Sequence, residues 1–509
     1  MSGFDAHTLL AGLAIIGIVI IVSALLSGLI ERTGLPQVAV FIAIGAALGP
    51  AGLGVFNSTL DSSILRVVAT LSLTLVLFTD AVSLNTSLVK RNAGLTFRML
   101  GPGTIVCAIL TAVAAWWLLK IPPGGAAILG AALASTDPVL LRGLLRRRDI
   151  PSDARQALQL ESGLNDAVLL PIVIVAMELM GHSDFSASGL AKLGLGLFIL
   201  GPGAGVAIGL IAVAALDLVR KRTGVRRDYE SLYSLGVAFT AFAAAEAVHG
   251  SGFLAAFAAG LTIAALDVEL CDCFIEYGGV TAEMLLLFTF VIFGASLIWT
   301  GFTGLNIATI IFTAFAMLIR LPVYLLSLLG SKVDRRGRLL IAWFGPSGLS
   351  SLLLVLLPVF AGLPGSERLF SITSLIVLLS VVIHGGSPML LAGKGGEEKA
   401  SGKPLVEPPA PVEHTQPEKS ERALPVVAEP PAPEDDAAPI GTQSITLQQL
   451  NDLQKSGEPV VILDVRTERS IEDSDLKARG AVRLPPEHVA IEARELALPK
   501  DAWLIAYCA

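Results

Sequence analysis

Two short stretches of this chain bring oxygen-bearing side chains together inside long apolar runs. The first is Ser135-Thr136-Asp137-Pro138. Proline removes a donor and blocks the helical hydrogen bond to the residue four before it. It also pushes Asp137 toward extended geometry. A helix broken at membrane depth frees carbonyls and amides, which is tolerated only where they line a cavity or are buried in protein. The second stretch is Glu161-Ser162-Gly163-Leu164-Asn165-Asp166. On a helix Glu161 and Asn165 are four apart, as are Ser162 and Asp166, so the four side chains form one polar stripe. Carboxylate, hydroxyl and amide oxygens are the ligands that hard cations prefer. A carboxylate in a poorly solvated site can also exchange a proton for a cation.

The elements that must position these residues are membrane spans. The chain has 509 residues, 53% hydrophobic and only 16% charged, with a net charge of −7. Its mean hydropathy is +0.73. A soluble domain is about a quarter charged, which excludes a soluble enzyme as the main reading. A bilayer core needs roughly 20 apolar residues per helix. Thirteen candidate spans meet or approach that: 8–30, 36–53, 64–83, 97–120, 125–145, 155–180, 189–219, 231–249, 252–267, 281–300, 304–330, 339–361 and 368–393. The first has no basic leader and no cleavage site, and is read as a retained helix. Alternating the loops between the two membrane faces puts 18 Lys and Arg on one side and 3 on the other. By the positive-inside bias, the N-terminus is outside and the C-terminal tail cytoplasmic, as in a multi-pass protein of a bacterial inner membrane.

Other ionisable residues within the spans have simpler readings. Glu178, Glu246, His249 and His384 lie near span ends, where snorkelling to water is easy. Asp80 suits a cap or an interface, and Glu283 a helix N-terminus. Arg320, well inside span 304–330, needs a carboxylate partner. Glu161 is the first choice and Asp137 the second. The twelfth span carries Gly345-Pro346-Ser347-Gly348 near its middle. It lies seven spans after the one broken at Pro138. Spans 1–6 and 8–13 would then be inverted halves with two interrupted helices meeting at an ion site. Two Leu-Gly-Pro-Gly pieces, at 100–103 and 200–203, do not fit that symmetry and are read as chance.

Several of these motifs together resemble the cation–proton antiporter superfamily, in its NhaP/NHE-type sodium–proton exchanger branch. They are Leu35-Pro36 with the glycine-rich stretch to Gly49-Pro50, Thr136-Asp137-Pro138, Glu161 to Asp166, and Gly250-Ser251-Gly252 running on to Gly260. The resemblance covers residues 8–393. It implies an all-α membrane protein of NhaA-like fold, with a mobile core carrying two crossed broken helices and a second domain forming a homodimer interface. It implies that Asp166 binds cation and proton alternately and that Thr136 and Ser162 add oxygens to a transported Na+. Asn165, where a second acid would mark the electrogenic branch, implies one-for-one exchange. Glu161 would hold the core against an arginine such as Arg320. The expected transported species are monovalent cations and protons. No cofactor and no nucleic-acid partner is expected, and the other expected partners are membrane lipid and a second copy of the chain. Many relatives carry arginine where this chain has Ser347, which leaves open what balances the facing helix ends.

Residues 394–441 hold 10 of the 28 prolines and read as a flexible linker. From 442 the chain looks soluble: an amphipathic stretch Ile445–Leu450, a strand Val460–Leu463, then Asp464-Val465-Arg466, Gly480-Ala481-Val482 and a last strand into Tyr507-Cys508. These resemble an α/β rhodanese domain, whose cysteine would match Cys508. The sequence given stops at Ala509, before that loop would close. The expectation is therefore no sulfurtransferase activity and no stable fold for 443–509. Cys271-Asp272-Cys273 reads as a loop pair, not a metal site. The leading reading is Na+ (or Li+)/H+ exchange. The alternatives are K+/H+ exchange regulated by a sulfur-sensing tail, a membrane-anchored sulfurtransferase, and a passive channel.

Overall fold

A computed structural model describes residues 37–392, apart from 51, 55–58, 85, 139, 142–149, 182–186, 223–226, 267–278 and 332. Before Gln37 only scattered positions are described, and beyond Ala392 mainly 460–466, 480–484 and 503–507. The chain divides into two units, Met1–Lys394 and Gly395–Ala509.

The first unit is helical. In chain order come α1 (Gln37–Leu48), α2 (Ser63–Ser83), α3 (Ala93–Leu119), α4 (Pro123–Ala134), α5 (Ser152–Gly181) and α6 (Ser188–Arg222). They are followed by α7 (Arg227–Ala247), α8 (Gly252–Leu266), α9 (Met284–Phe302) and α10 (Ile307–Ser327). Last come α11 (Arg335–Trp343), α12 (Leu349–Phe360) and α13 (Ser366–Ala392). Among the described residues, seven helices are long and apolar enough to cross a membrane, and five more are shorter and apolar. These twelve fall, in order, on the second to thirteenth expected spans. The first, 8–30, lies largely outside the described residues, as do Cys271, Cys273 and Cys508.

Helix ends are marked where the sequence supplies capping side chains. Asn306 Oδ1 accepts from Thr309 N at 2.9 Å to start α10, and Asp334 Oδ1 accepts from Gly337 N at 2.9 Å to start α11. Glu246 accepts from Gly252 N at 2.9 Å and so opens α8. It serves as a span-end residue, and Glu178 and His249 are exposed at such ends too.

The short, glycine-rich span α1 buries Val38, Phe41 and Ile42 and also makes close backbone contact with its neighbour. A Cβ at Gly45 would stand 2.3 Å from Val291 O, one at Gly49 2.0 Å from Ala295 O, and one at Gly294 2.3 Å from Ile42 O. Small residues four apart let α1 lie directly on α9. The Leu-Gly-Pro-Gly pieces also have a structural reason. Gly101-Pro102-Gly103 lies within a widened π turn, Met99–Ile105, and Gly201-Pro202-Gly203 directly follows another, Gly196–Leu200. A wider turn accommodates the missing proline donor without ending the helix.

The second unit is described through a parallel sheet of order β2-β1-β3, where β1 is Val460–Asp464, β2 Val482–Arg483 and β3 Trp503–Tyr507. The described strands stand where the sequence places them. Asp464 Oδ1 and Oδ2 accept from Arg466 Nε and Nη2, both at 2.9 Å. That fork holds the Asp464 carboxyl down at about 2. The stretch Ile445–Gln449 is outside the described residues.

Candidate ion-binding site

The two breaks expected from proline lie side by side. α4 stops at Ala134, Ser135 is extended (φ −68°, ψ 136°), and helical geometry returns at Pro138. Proline therefore begins the second half-helix, where its missing donor costs nothing. α11 stops at Trp343, residues 344–348 are non-helical, and α12 begins at Leu349. Each break supplies what the other lacks. Asp137 N donates to Pro346 O at 2.9 Å, Ser347 Oγ to Leu133 O at 3.2 Å, and Leu349 N to Asp137 Oδ2 at 2.7 Å.

These contacts show what balances the facing helix ends in place of arginine at 347. The Asp137 carboxylate caps the positive end of α12, and Arg320 Nη2 donates to Ile341 O, 3.1 Å away, at the negative end of α11. Ser347 only ties the two breaks together. The fit at Gly348 leaves no room for a side chain, since a Cβ there would stand 2.1 Å from Asp137 Oδ2. Gly348→Ala is therefore expected to destabilise the protein by about 1–3 kcal/mol and to slow exchange. Thermal unfolding together with vesicle flux would check this, and an unchanged pair of values would refute the fit.

The second stretch lies on α5 and faces this crossing. Glu161, 1% exposed, accepts a two-pronged hydrogen bond from Arg320, Nη1 to Oε1 at 2.8 Å and Nη2 to Oε2 at 2.6 Å. The expected partner of Arg320 is thus the observed one. Tyr324 OH also donates to Glu161 Oε1 at 2.9 Å, and the Tyr324 ring lies 3.9 Å beneath the Arg320 guanidinium. Thr104 Oγ1, brought inward by the π turn of α3, stands 3.0 Å from Tyr324 OH. One buried carboxylate thereby ties α5, α10 and, through Thr104, α3.

Around Asp166 the arrangement is different. The residue is 1% exposed. Its Oδ1 accepts from Ser135 Oγ at 2.5 Å, and Ser350 stands beside the carboxylate. Among the described residues no cation pairs with it, and Oδ2 has no hydrogen-bond partner. Next to it, Asn165 Nδ2 donates to Thr136 Oγ1 at 2.6 Å, and Thr136 Oγ1 donates to Glu161 Oε1 at 3.3 Å. Asn165 Oδ1 is likewise buried without a partner. The sum is a buried cluster of oxygen atoms around the Asp166 carboxylate, in which Asp166 Oδ2 and Asn165 Oδ1 have no hydrogen-bond partner among the described residues.

Of the residues expected at the site, Thr136, Asp137, Glu161, Asn165, Asp166, Arg320, Ser347 and Gly348 all meet at the crossing. Ser162 is buried too, but its hydroxyl donates to Gln159 O of its own helix at 3.3 Å. Tyr324, Thr104 and Ser350 were not singled out from sequence. Tyr324 could have been found one helical turn after Arg320, and Ser350 just past the glycine-proline break. His384 is not the expected water-facing residue. It is 6% exposed and its ring lies 5.1 Å from that of Trp343.

The sodium/hydrogen exchanger transmembrane family profile matches residues 18–392. This chain belongs to that family. It is a multi-pass membrane transporter that carries out cation/proton antiport, and not an enzyme. The exchanger is 27% identical over 401 residues to a K(+)/H(+) antiporter NhaP2 of Shewanella sp. (strain MR-4), covering 75% of this chain and 67% of the relative. It is 24% identical over 380 residues to a K(+)/H(+) antiporter NhaP of Alkalimonas amylolytica, covering 73% and 65%. In fold it is similar to the sodium proton antiporter MjNhaP1 from Methanocaldococcus jannaschii at pH 8. The TM-score is 0.62 at 21% identity, over 76% of this chain and 99% of that one.

Proposed function

We propose that the exchanger moves Na+ (or Li+) against protons, one for one, with the Asp166 carboxylate binding the cation and the proton in turn. The observation that carries this reading is the unsatisfied Asp166 Oδ2 in a buried setting of hydroxyl, amide and carboxylate oxygens. Such oxygens suit a hard monovalent cation. Asn165, Thr136 and the backbone freed at the break are the further ligands, and Ser162 joins them only after its hydroxyl leaves Gln159. Asp137 and Glu161 are already engaged with a helix end and with Arg320. That leaves Asp166 as the acid that exchanges. A cation entering this site replaces one proton, so net charge does not change on binding.

Electroneutrality predicts that flux is insensitive to voltage. In proteoliposomes with a potassium-set membrane potential of either sign, initial proton flux driven by Na+ should stay the same. A rate that follows the voltage would overturn one-for-one exchange. A second reading, K+/H+ exchange at the same residues, is favoured by the names of the relatives above. Parallel Na+, Li+ and K+ titrations, read as dequenching of a pH dye, decide between them.

The resemblance further suggests alternating access by a moving core, a homodimer, and an outside N-terminus with a cytoplasmic tail. The rhodanese-like likeness of the second unit suggests a regulatory role for the tail.

A further inference from the structure

We propose that an apolar crevice between α10 and α13 is a binding site for one acyl chain of a membrane lipid. The crevice has a volume of about 480 Å³, within the range of ligand cavities. Its mouth is formed by Phe302 and Leu305. These flank the short connection between α9 and α10, which lies at one membrane surface. Trp299 stacks on Phe302 there at 6.3 Å, and both are about two-fifths exposed. Aromatic residues at that level mark the headgroup region. From the mouth the crevice follows α10 past Ile310 to Leu318 and ends on Met317, Trp343 and His384, next to the crossing. The twelve residues from Ile307 to Leu318, taken as eleven helical steps, rise about 16 Å. That matches one leaflet, half of a hydrocarbon core of about 30 Å.

The walls are almost entirely apolar, as suits a hydrocarbon chain, apart from the Thr313 hydroxyl, which has no hydrogen-bond partner among the described residues. Of the lining residues only Thr313, Trp343 and His384 carry polar side-chain atoms. Trp343 spends its indole N–H on Ser387 Oγ at 3.2 Å, and His384 Nδ1 lies 3.2 Å from Ser380 Oγ. Leu305, Ile310, Leu318 and Ile383 are between 43% and 56% exposed along the crevice, a cost that hydrocarbon removes and water does not. Met317 and His384 also wall a separate polar cavity of about 30 Å³ behind Thr136, Arg320 and Ser347, large enough for about two water molecules. The chain end therefore rests against the partition between bilayer and crossing.

The test uses a phospholipid carrying a diazirine at the end of one acyl chain, photolysed in proteoliposomes, with labelled residues mapped by mass spectrometry. Label should concentrate on the floor, Met317, Trp343 and His384, as well as on Ile311. Ile311 is half-exposed and outside the lining, and serves as the internal reference. Ala314, exposed within the crevice, can be enlarged without touching the core. Ala314→Trp should reduce floor label to background while Ile311 label and the monodisperse elution of the protein persist. An unlabelled floor in the unsubstituted protein, or a floor-to-Ile311 ratio unchanged by Ala314→Trp, would overturn the proposal.

Discussion

Asp166→Asn is expected to abolish cation-dependent proton movement, down to the level of empty vesicles, while the protein stays folded. The side chain keeps its shape and its hydrogen bond with Ser135, but loses the charge that a cation needs and the site that a proton occupies. Stability gives an independent reading. A buried carboxylate without a cationic partner is costly to the fold. Among the described residues Asp166 has none, since Oδ1 meets a hydroxyl and Oδ2 meets no partner. Replacing it by a neutral amide should therefore leave thermal unfolding unchanged or raise its midpoint. Flux is measured by dequenching of a pH dye on addition of Na+, and unfolding on the same preparation. Undiminished exchange in this variant would sink the proposed role of Asp166. Loss of exchange with loss of fold would point to a structural role instead.

The opposite pattern is expected at Glu161 and Arg320. This pair is buried, forked and reinforced by Tyr324 and by the end of α11. Removing one partner leaves a buried charge uncompensated, which costs about 3–5 kcal/mol. Glu161→Gln and Arg320→Met should each lower the unfolding midpoint sharply and stop exchange, because Thr136 and Asn165 are positioned through Glu161. The double variant should recover a large part of the stability of either single one, as charges removed together leave none stranded. It should not recover exchange, since Ile341 O would still lack its partner at the end of α11. Simple additivity of the two losses would show that the pair is not the unit described.

Much of this was legible in the residues because membrane burial makes polar side chains expensive. An ionisable group kept at that depth points to its own use, and a proline there points to freed backbone. That logic locates Asp166, Asp137, the Glu161–Arg320 pair and both breaks. It fails where a group's partners depend on rotamer or on turn geometry. The Ser162 hydroxyl turns back onto its own helix, a choice that four-residue spacing does not reveal. Tyr324 and Thr104 look like ordinary apolar-span residues until the π turn after Arg98 brings α3 against α10. His384 reads as a span-end residue because linear position along a helix says nothing about the neighbour that covers it, here Trp343. The span holding α1 looks weak because it is short and glycine-rich, yet its glycines are where its backbone meets α9.

The three hydrogen bonds that join the breaks have a mechanical meaning. Each passes through backbone on at least one side, so a single side-chain substitution does not release the joint. Two half-helices fastened at their open ends lose the freedom to slide or pivot against each other. If exchange proceeds by the moving core proposed above, the crossing travels as one piece, and Asp166 with it. The strain of such a motion would then fall on the connections around the crossing, and the proposed ion site would lie away from any hinge.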